Sequence, residues 1–257
     1  MTLHTILVLF PTGIVGGLMA SLVGGASVIT FPVLLAIGLP PVVATASNLV
    51  AVSAGNLLAA VTDRASLPPV NRAFVGLVAA SLLGALLGAV LLLATPTRMF
   101  EVLIPLLLGF ATILFAFAGR ITQWLHARAQ ARGRPGWTMS VTSIPLLLPI
   151  SVYGGYFGAG AGTLLLGVLT LATGGDYRSA NVTKNLVSSL NTVAASVWFI
   201  ANGAVSWPQT LAMMVGCLVG GFCGAHLARV IPQDFMRVVV VVVGAPLTAA
   251  FAWRYWF

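Results

Sequence analysis

Charged residues are scarce in this chain. Only 6% of its 257 residues are Asp, Glu, Lys or Arg, and four of those are acidic. Soluble domains carry about 25% charged residues, so this composition excludes an ordinary soluble fold. Apolar residues take their place, with 59% of the chain hydrophobic and a mean hydropathy of +1.06. Because apolar runs of about 18 residues or more indicate transmembrane helices, the composition predicts an all-α polytopic membrane protein, built as one membrane domain over residues 1–257.

Residues suited to catalysis or metal binding are also few. The chain has two cysteines, Cys217 and Cys223, six positions apart and without C-x-x-C spacing. That spacing argues against a thiol relay or a structural disulfide. Cys223 and His226 share a helix face, but two ligands without a third polar neighbour make a poor metal site. We therefore expect no metal, no cofactor and no enzymatic activity, since an intramembrane hydrolase or redox relay needs groups that are missing here.

Basic residues outnumber acidic ones and give a formal net charge of +8. They fall mainly in short loops, where they orient a membrane protein, so we expect no nucleic-acid partner. The N-terminal sequence MTLHTILVLFPTGIVGG lacks a positively charged leader and a small-residue cleavage site. It therefore predicts a first span and not a removable signal.

The second half of the sequence repeats the first at an offset of 137 residues. This offset aligns Gly25 with Gly162, Gly38 with Gly175, and Asn48 with Asn185 without a gap. We predict a first repeat over residues 1–118, a basic cytoplasmic linker over 119–138 and a second repeat over 139–257. Such duplication, with a glycine-broken apolar stretch in each half, is the pattern of a secondary transporter.

Each repeat is predicted to hold one glycine-broken element and three or four full transmembrane helices. The first apolar stretch, residues 5–37, is interrupted at Gly24-Gly25 and followed by a short helix from about 27 to 37. In the second repeat the glycines between 154 and 162 precede a similarly short run. Full helices are predicted at about 42–62, 74–93, 100–118, 181–201, 208–230 and 235–256.

The distribution of basic residues tests two span counts, because cytoplasmic loops are enriched in Lys and Arg. With four spans per half, seven basic residues lie in the cytoplasm and four outside. With five elements per half and the two halves inverted, nine lie in the cytoplasm and two outside. The second count favours an inverted repeat with short broken helices and places Arg178 in the cytoplasm.

One predicted helix, over residues 181–201, carries a polar face. Its members are spaced for one side of a helix: Asn181, Lys184, Asn185, Ser188, Asn191 and Thr192. An unpaired polar group in lipid costs several kcal/mol, so this face must meet a partner helix or a wet cavity. The alternative is that the amides and hydroxyls only join packed helices. Lys184 favours a cavity.

The donors in these regions predict a site for a small anion. Two half-helices beginning after the glycine breaks would direct N–H groups and positive dipole ends to the middle of the membrane. The four acidic residues lie at helix ends or in loops, so a carboxylate for a cation is lacking: Asp63, Glu101, Asp176 and Asp234. We expect Lys184 to be the main electrostatic attractor. The predicted substrate-binding residues are Lys184, Asn185, Asn48, Ser47, Ser188, Asn191, Gly24, Gly25, Gly160 and Gly162.

Two segments carry a resemblance to a known family. GGASVITFPVLLAIGLPPVVATASNLVAV and its weaker echo GAGAGTLLLGVLTLATGGDYRSANVTKNLVSSL resemble the signature regions of the TauE/SafE family of sulfite exporters. The resemblance implies a multi-pass transporter of the bacterial inner membrane that moves sulfite, sulfoacetate or other organosulfonates, mostly outward. The chain departs from the family pattern in a shorter first glycine run and in Leu169, which stands at the place matching Pro32.

Other functions stay open at this point. An anion channel or a non-transporting membrane subunit would carry the same helices, and flux measurements separate these from a carrier. Transport driven by membrane potential and coupling to an ion held by backbone carbonyls are both compatible with the residues. The expected partners are a small anionic substrate and the lipid bilayer, and a homo-oligomer is left open because small-residue ridges pack within or between chains.

Overall fold

The computed structural model of the protein describes residues 3–62, 67, 71–131, 144–172, 176–227 and 233–256. The described residues form ten helices and no strand. In chain order these are α1 (Leu3–Leu22), α2 (Ala26–Ala36), α3 (Pro41–Thr62), α4 (Arg72–Ala94), α5 (Thr97–Ala131), α6 (Ile144–Tyr156), α7 (Ala161–Ala172), α8 (Tyr177–Ala201), α9 (Trp207–Leu227) and α10 (Gln233–Trp256). The predicted all-helical architecture is confirmed.

Both predicted helix breaks are present. α1 ends at Leu22 and α2 begins at Ala26, with Gly24 between them at a φ of 81°. The second break separates α6 from α7, and Gly158 and Gly160 there have φ values of 81° and 79°. Residues with side chains rarely adopt this left-handed conformation, so glycine lets the chain leave one helix and start the next within a few residues. α2 and α7 have 11 and 12 residues, too few to cross a bilayer alone.

Within the described ranges, six helices are long and apolar enough to cross a membrane: residues Leu3–Leu22, Pro41–Thr62, Phe74–Ala94, Thr97–Ile121, Trp207–Leu227 and Phe235–Trp256. α8 has 25 residues but is absent from this set, because its polar face lowers its hydropathy. Large apolar side chains such as Leu83, Val197 and Val242 are more than 60% exposed. This surface suits lipid, and the chain is a multi-pass membrane protein.

α5 is longer than the predicted span, which ended at residue 118. It continues to Ala131, so the first part of the predicted linker is helical. The physical reason is that Ala, Arg, Gln and Leu after Gly119 are good helix formers with no proline among them. The rest of that linker, residues 132–138, lies outside the described residues, as do Gly175 and Asp63.

Small residues bring pairs of helices into close contact. On α9, an added Cβ at Gly216 or Gly220 would collide with the α1 backbone. On α4, a Cβ at Gly84 or Gly88 would collide with α6. α1 therefore packs on α9 and α6 packs on α4, while α3 packs on α8 and α5 on α10. Helices of the first half (α1–α5) thus pack against helices of the second half (α6–α10). The same set of pairs results when each helix is replaced by its counterpart five places along, α1 by α6 and so on.

Candidate functional site

The two helix breaks lie in direct contact with each other. A Cβ added to Gly24 would stand 2.7 Å from the Gly162 Cα, so the two backbones meet without a side chain between them. The Thr163 hydroxyl of α7 also donates a hydrogen bond of 2.7 Å to the Val23 carbonyl at the end of α1. The starts of α2 and α7 are thereby brought together inside the helix bundle.

A small cavity of about 50 Å³ opens beside this contact. About 10–15 Å³ is enough for one water molecule, so the space holds a few waters or a small ion. Both helix starts contribute to its wall, through Gly24 and Ser27 of the first break and Ala161 and Gly162 of the second. The polar side chains in the wall are Ser27, Asn56, Ser188, Asn191 and Thr192.

Lys184 lies fully buried on α8 but does not line this cavity. Its Nζ donates hydrogen bonds to the carbonyls of Ala20 (2.9 Å) and Ser21 (3.2 Å), in the last turn of α1. The Ala20 carbonyl also accepts from the Gly24 N–H at 3.2 Å, and both carbonyls lie at the negative end of the α1 dipole, where a cation is favoured. Lys184 therefore caps α1. Ala20 itself lines the cavity, so the ammonium group is one residue removed from it.

Two amides of α8 support the same helix end. Asn181 Nδ2 and Asn185 Nδ2 donate to the Ser21 carbonyl, at 3.2 and 3.3 Å. The Oδ1 atoms of both amides are buried and have no hydrogen-bond partner among the described residues. This conformation thus places the first turn of the polar face of α8 on α1, and places the next turn, with Ser188 and Asn191, on the cavity.

Asn48 and Asn185 make different hydrogen bonds, although the 137-residue offset aligns them. Asn48 Nδ2 donates to Ser27 Oγ (2.8 Å) and its Oδ1 accepts from the Thr30 hydroxyl, so it fastens the start of α2 to α3. At the offset of 137 the second half has Leu164 and Gly167 in place of Ser27 and Thr30. Asn185 has no such hydroxyls on α7 and reaches α1 instead.

The predicted site residues therefore fall into three groups. Gly24, Gly162, Ser188 and Asn191 line the cavity. Gly25 and Gly160 belong to the breaks and pack against α5, near Phe115 and Ala111. The remaining four hold helices together: Lys184 and Asn185 at the end of α1, Asn48 at the start of α2, and Ser47, whose hydroxyl accepts from the Ser206 N–H at 3.0 Å.

Asn56 was missed in the sequence and is the notable addition to the wall. It follows Asn48 by eight positions on α3, so it lies near the same helix face, and that spacing was the available signal. It is 6% exposed, its Oδ1 is buried without a partner, and its side chain makes no hydrogen bond within the described part of the chain. Most buried polar groups are paired, so an unpaired amide beside a cavity indicates a place for a ligand or water.

Comparison with known proteins identifies the family. Residues 9–251 match the family described as "Sulfite exporter TauE/SafE". The chain belongs to the TauE/SafE family. The match spans both glycine breaks, the cavity and all ten helices in whole or in part, so the site described above lies within the family's own region.

Curated relatives of this TauE/SafE protein are named as transporters. "Probable membrane transporter protein ORF9" of Sinorhizobium sp. is 28% identical over 250 residues, which cover 95% of this chain and 91% of that protein. A "Probable membrane transporter protein" of Haemophilus influenzae is 24% identical, covering 97% and 96%. "Probable membrane transporter protein YfcA" of Escherichia coli K12 is 23% identical, covering 94% and 87%. Membership in a family of membrane transporters agrees with the multi-pass fold.

Proposed function

We propose that this TauE/SafE protein is a secondary transporter of small sulfur-containing anions, such as sulfite, sulfoacetate or another organosulfonate, and that it exports them across the bacterial inner membrane. The observation that carries the proposal is the meeting of two short helices at a buried cavity, where both helix starts and several hydrogen-bond donors line one small space. Broken helices that meet near the middle of the membrane are the usual substrate site of secondary transporters.

The chemistry of the wall favours an anion over a cation. Helix N-termini present unpaired N–H groups and a partial positive charge, and hydroxyls and amides add donors. Lys184 contributes a positive charge from one residue behind the wall. None of the described residues lining the cavity is a carboxylate. The sulfur in the proposal comes from the family's description as sulfite exporters and from no single contact.

We also propose that the two halves form an inverted repeat. The pairing of α1 with α9 and of α6 with α4 is the relation that a twofold exchange of the halves produces. Inversion gives the stronger bias of basic residues to the cytoplasm, nine against two. It also accounts for the contact between the N-terminal ends of α2 and α7.

Export agrees with the direction of the membrane potential. An inside-negative potential drives an anion outward with about 2.3 kcal/mol per charge per 100 mV, so net export needs no other ion. In this scheme the potential drives the movement, and the protein supplies a site that opens to each side in turn.

Flux into proteoliposomes tests the proposal. Purified protein should take up labelled sulfite in a saturable manner and exchange it for internal sulfite or sulfoacetate. Uptake should rise when the potential favours anion entry. Conduction of chloride or sulfite that does not saturate and does not exchange would indicate an anion channel. No flux of any tested anion in sealed vesicles containing folded protein would indicate a non-transporting subunit.

A further inference from the structure

The cavity wall offers hydrogen-bond acceptors as well as donors. Asn191 Nδ2 donates a long hydrogen bond of 3.4 Å to Ser151 Oγ. Its Oδ1 is buried and has no partner among the described residues, and the residue is only 8% exposed. Lipid chains have no hydrogen-bond donor to offer this oxygen, so leaving it unpaired inside the membrane is unfavourable. A fully deprotonated oxyanion has no hydrogen to offer it.

Donors face the same space. Asn56 has an amide without any hydrogen bond to described residues, and Ser188 contributes a hydroxyl to the wall. Ser27 Oγ accepts from Asn48, so its own hydrogen remains for another acceptor. A ligand that fits both sets must carry oxygens that accept and at least one hydrogen that is donated.

The fixed charges around the cavity balance one negative charge. Each helix start contributes about half a positive charge and the Lys184 ammonium contributes one. The C-terminal ends of α1 and α6, whose Ala20 and Gly154 line the cavity, contribute about half a negative charge each, which leaves about one positive charge in all. A monoanion is compensated by this arrangement, whereas a dianion retains excess negative charge in a low-dielectric setting. A metal ion on the Asn191 oxygen would be repelled by the same helix starts.

Resting on the proposed function, we propose that the cavity binds the singly protonated form of an oxyanion, hydrogensulfite being the case at hand. Its unprotonated oxygens accept from Asn56, Ser27, Ser188 and the two helix starts, and its hydrogen is donated to Asn191 Oδ1. One proton then crosses with each anion, because moving hydrogensulfite is equivalent to moving one sulfite dianion and one proton together. Proton movement of this kind requires no carboxylate in the membrane-spanning helices.

Titratable groups of the protein near the cavity are few. α2, α3 and α7 carry none, and none of the described residues in the wall is titratable. On α8, Lys184 is bound to the end of α1. On α6, the Tyr153 hydroxyl donates to the Ala159 carbonyl at 2.6 Å and Tyr156 donates to Thr95. His4 and Arg178 lie at the starts of α1 and α8.

The test is calorimetric binding of total sulfite to the purified full chain across a pH series, with methanesulfonate as the matched ligand. Methanesulfonate is a monoanion with sulfonyl oxygens and no ionisable hydrogen. Affinity for total sulfite should fall about tenfold per pH unit above the ionisation of hydrogensulfite, because the bound form becomes rarer. Methanesulfonate should bind at least about tenfold more weakly and with no pH dependence, since it lacks the hydrogen that Asn191 accepts.

Variants locate the effect. Asn191→Ala should reduce affinity for hydrogensulfite to the level of methanesulfonate and leave methanesulfonate binding unchanged. Asn56→Ala should weaken both ligands, because it removes a donor that both use. Asn202→Ala is the control, since Asn202 is an exposed residue that follows α8 and bonds only to its own helix end; it should bind both ligands as the wild type does.

Each contrary result has its own meaning. Sulfite affinity that is constant or rises with pH would overturn the protonated form while leaving sulfite transport standing. A parallel loss for sulfite and methanesulfonate would assign the pH dependence to a protein group, such as Lys184, and overturn the inference. Sulfite binding that requires Na⁺ would also overturn the inference. Failure of every sulfur anion to bind would contradict the proposed function itself.

Discussion

At the scale of single residues, Lys184 caps α1, and we propose that it also supplies positive charge to the adjacent cavity. It is the one lysine of the chain, and burial of an ammonium group costs several kcal/mol. Two hydrogen bonds from a charged donor stabilise the fold by about 1.5–3 kcal/mol each, and the interaction with the helix end adds up to about 2 kcal/mol. These terms nearly cancel, so the charge contributes little to stability. Its remaining effect is the field that it projects into the adjacent cavity.

Lys184→Met keeps the length of the side chain and removes the charge. We expect the melting temperature to change by only a few degrees, because a buried charge and its hydrogen bonds are removed together. Sulfite affinity should fall roughly tenfold, since a unit charge about 10 Å from an anion is worth on the order of 1–2 kcal/mol at an effective dielectric of about 20. Arg98→Met, at an exposed position of α5, is the matched control. Equal sulfite affinity in all three proteins would remove Lys184 from the site.

At the scale of elements, glycine is required before and after α2 for different reasons. Gly24 and Gly38 both have positive φ, of 81° and 94°. An added Cβ at Gly38 meets no atom within 4 Å, whereas at Gly24 it meets the backbone of Gly162 at 2.7 Å. Gly38 thus requires only the left-handed conformation, and Gly24 requires in addition the close approach of two chain segments.

The pair provides a matched test of that approach. Gly38→Ala should lower stability by about 1–2 kcal/mol, the cost of a left-handed residue with a Cβ. Gly24→Ala carries the same strain and must also separate the two breaks, so it should lower the melting temperature further and abolish sulfite flux. The measurement is thermal unfolding of both variants together with flux in proteoliposomes. If Gly24→Ala matched Gly38→Ala in both, the contact between the breaks would be unimportant.

At the scale of the whole molecule, the proposed inversion of the two halves decides which loops face the cytoplasm. The N-terminal end of α8 is the most informative position, because Arg178 is exposed there and the two span counts place it on opposite sides. Inversion puts it in the cytoplasm together with most other basic residues.

Arg178→Cys, with Cys217 and Cys223 replaced by alanine, reports the side directly. A membrane-impermeant maleimide should label this cysteine in inside-out vesicles and not in intact cells. Labelling in intact cells would favour eight spans and contradict the inverted repeat. Arg98→Cys is the opposite control, since both counts place residue 98 outside.

Much of this fold follows from sequence patterns, and the reasons differ by residue. The breaks were predictable because glycine clusters interrupt apolar stretches at positions related by the 137-residue offset. The polar face of α8 was predictable from its spacing. The hydrogen-bond partners of this face were not predictable. Lys184 bonds to α1 because that helix ends beside it, and residue spacing on α8 does not indicate which helix end lies nearby. Asn56 was missed because its aligned position in the second half is Val193, so the repeat did not point to it.

The central claim is that a sulfur oxyanion binds in the cavity between the breaks. It is tested most directly by thermal stabilisation of purified protein with sulfite, sulfoacetate, taurine, sulfate and chloride, using the wild type, Asn191→Leu and the exposed control Asn202→Leu. A ligand at 100 times its Kd stabilises by about 2.7 kcal/mol, a clear rise in melting temperature. We expect sulfite to stabilise the wild type and Asn202→Leu but not Asn191→Leu. Equal stabilisation of both variants, or no response to any sulfur anion, would contradict the claim.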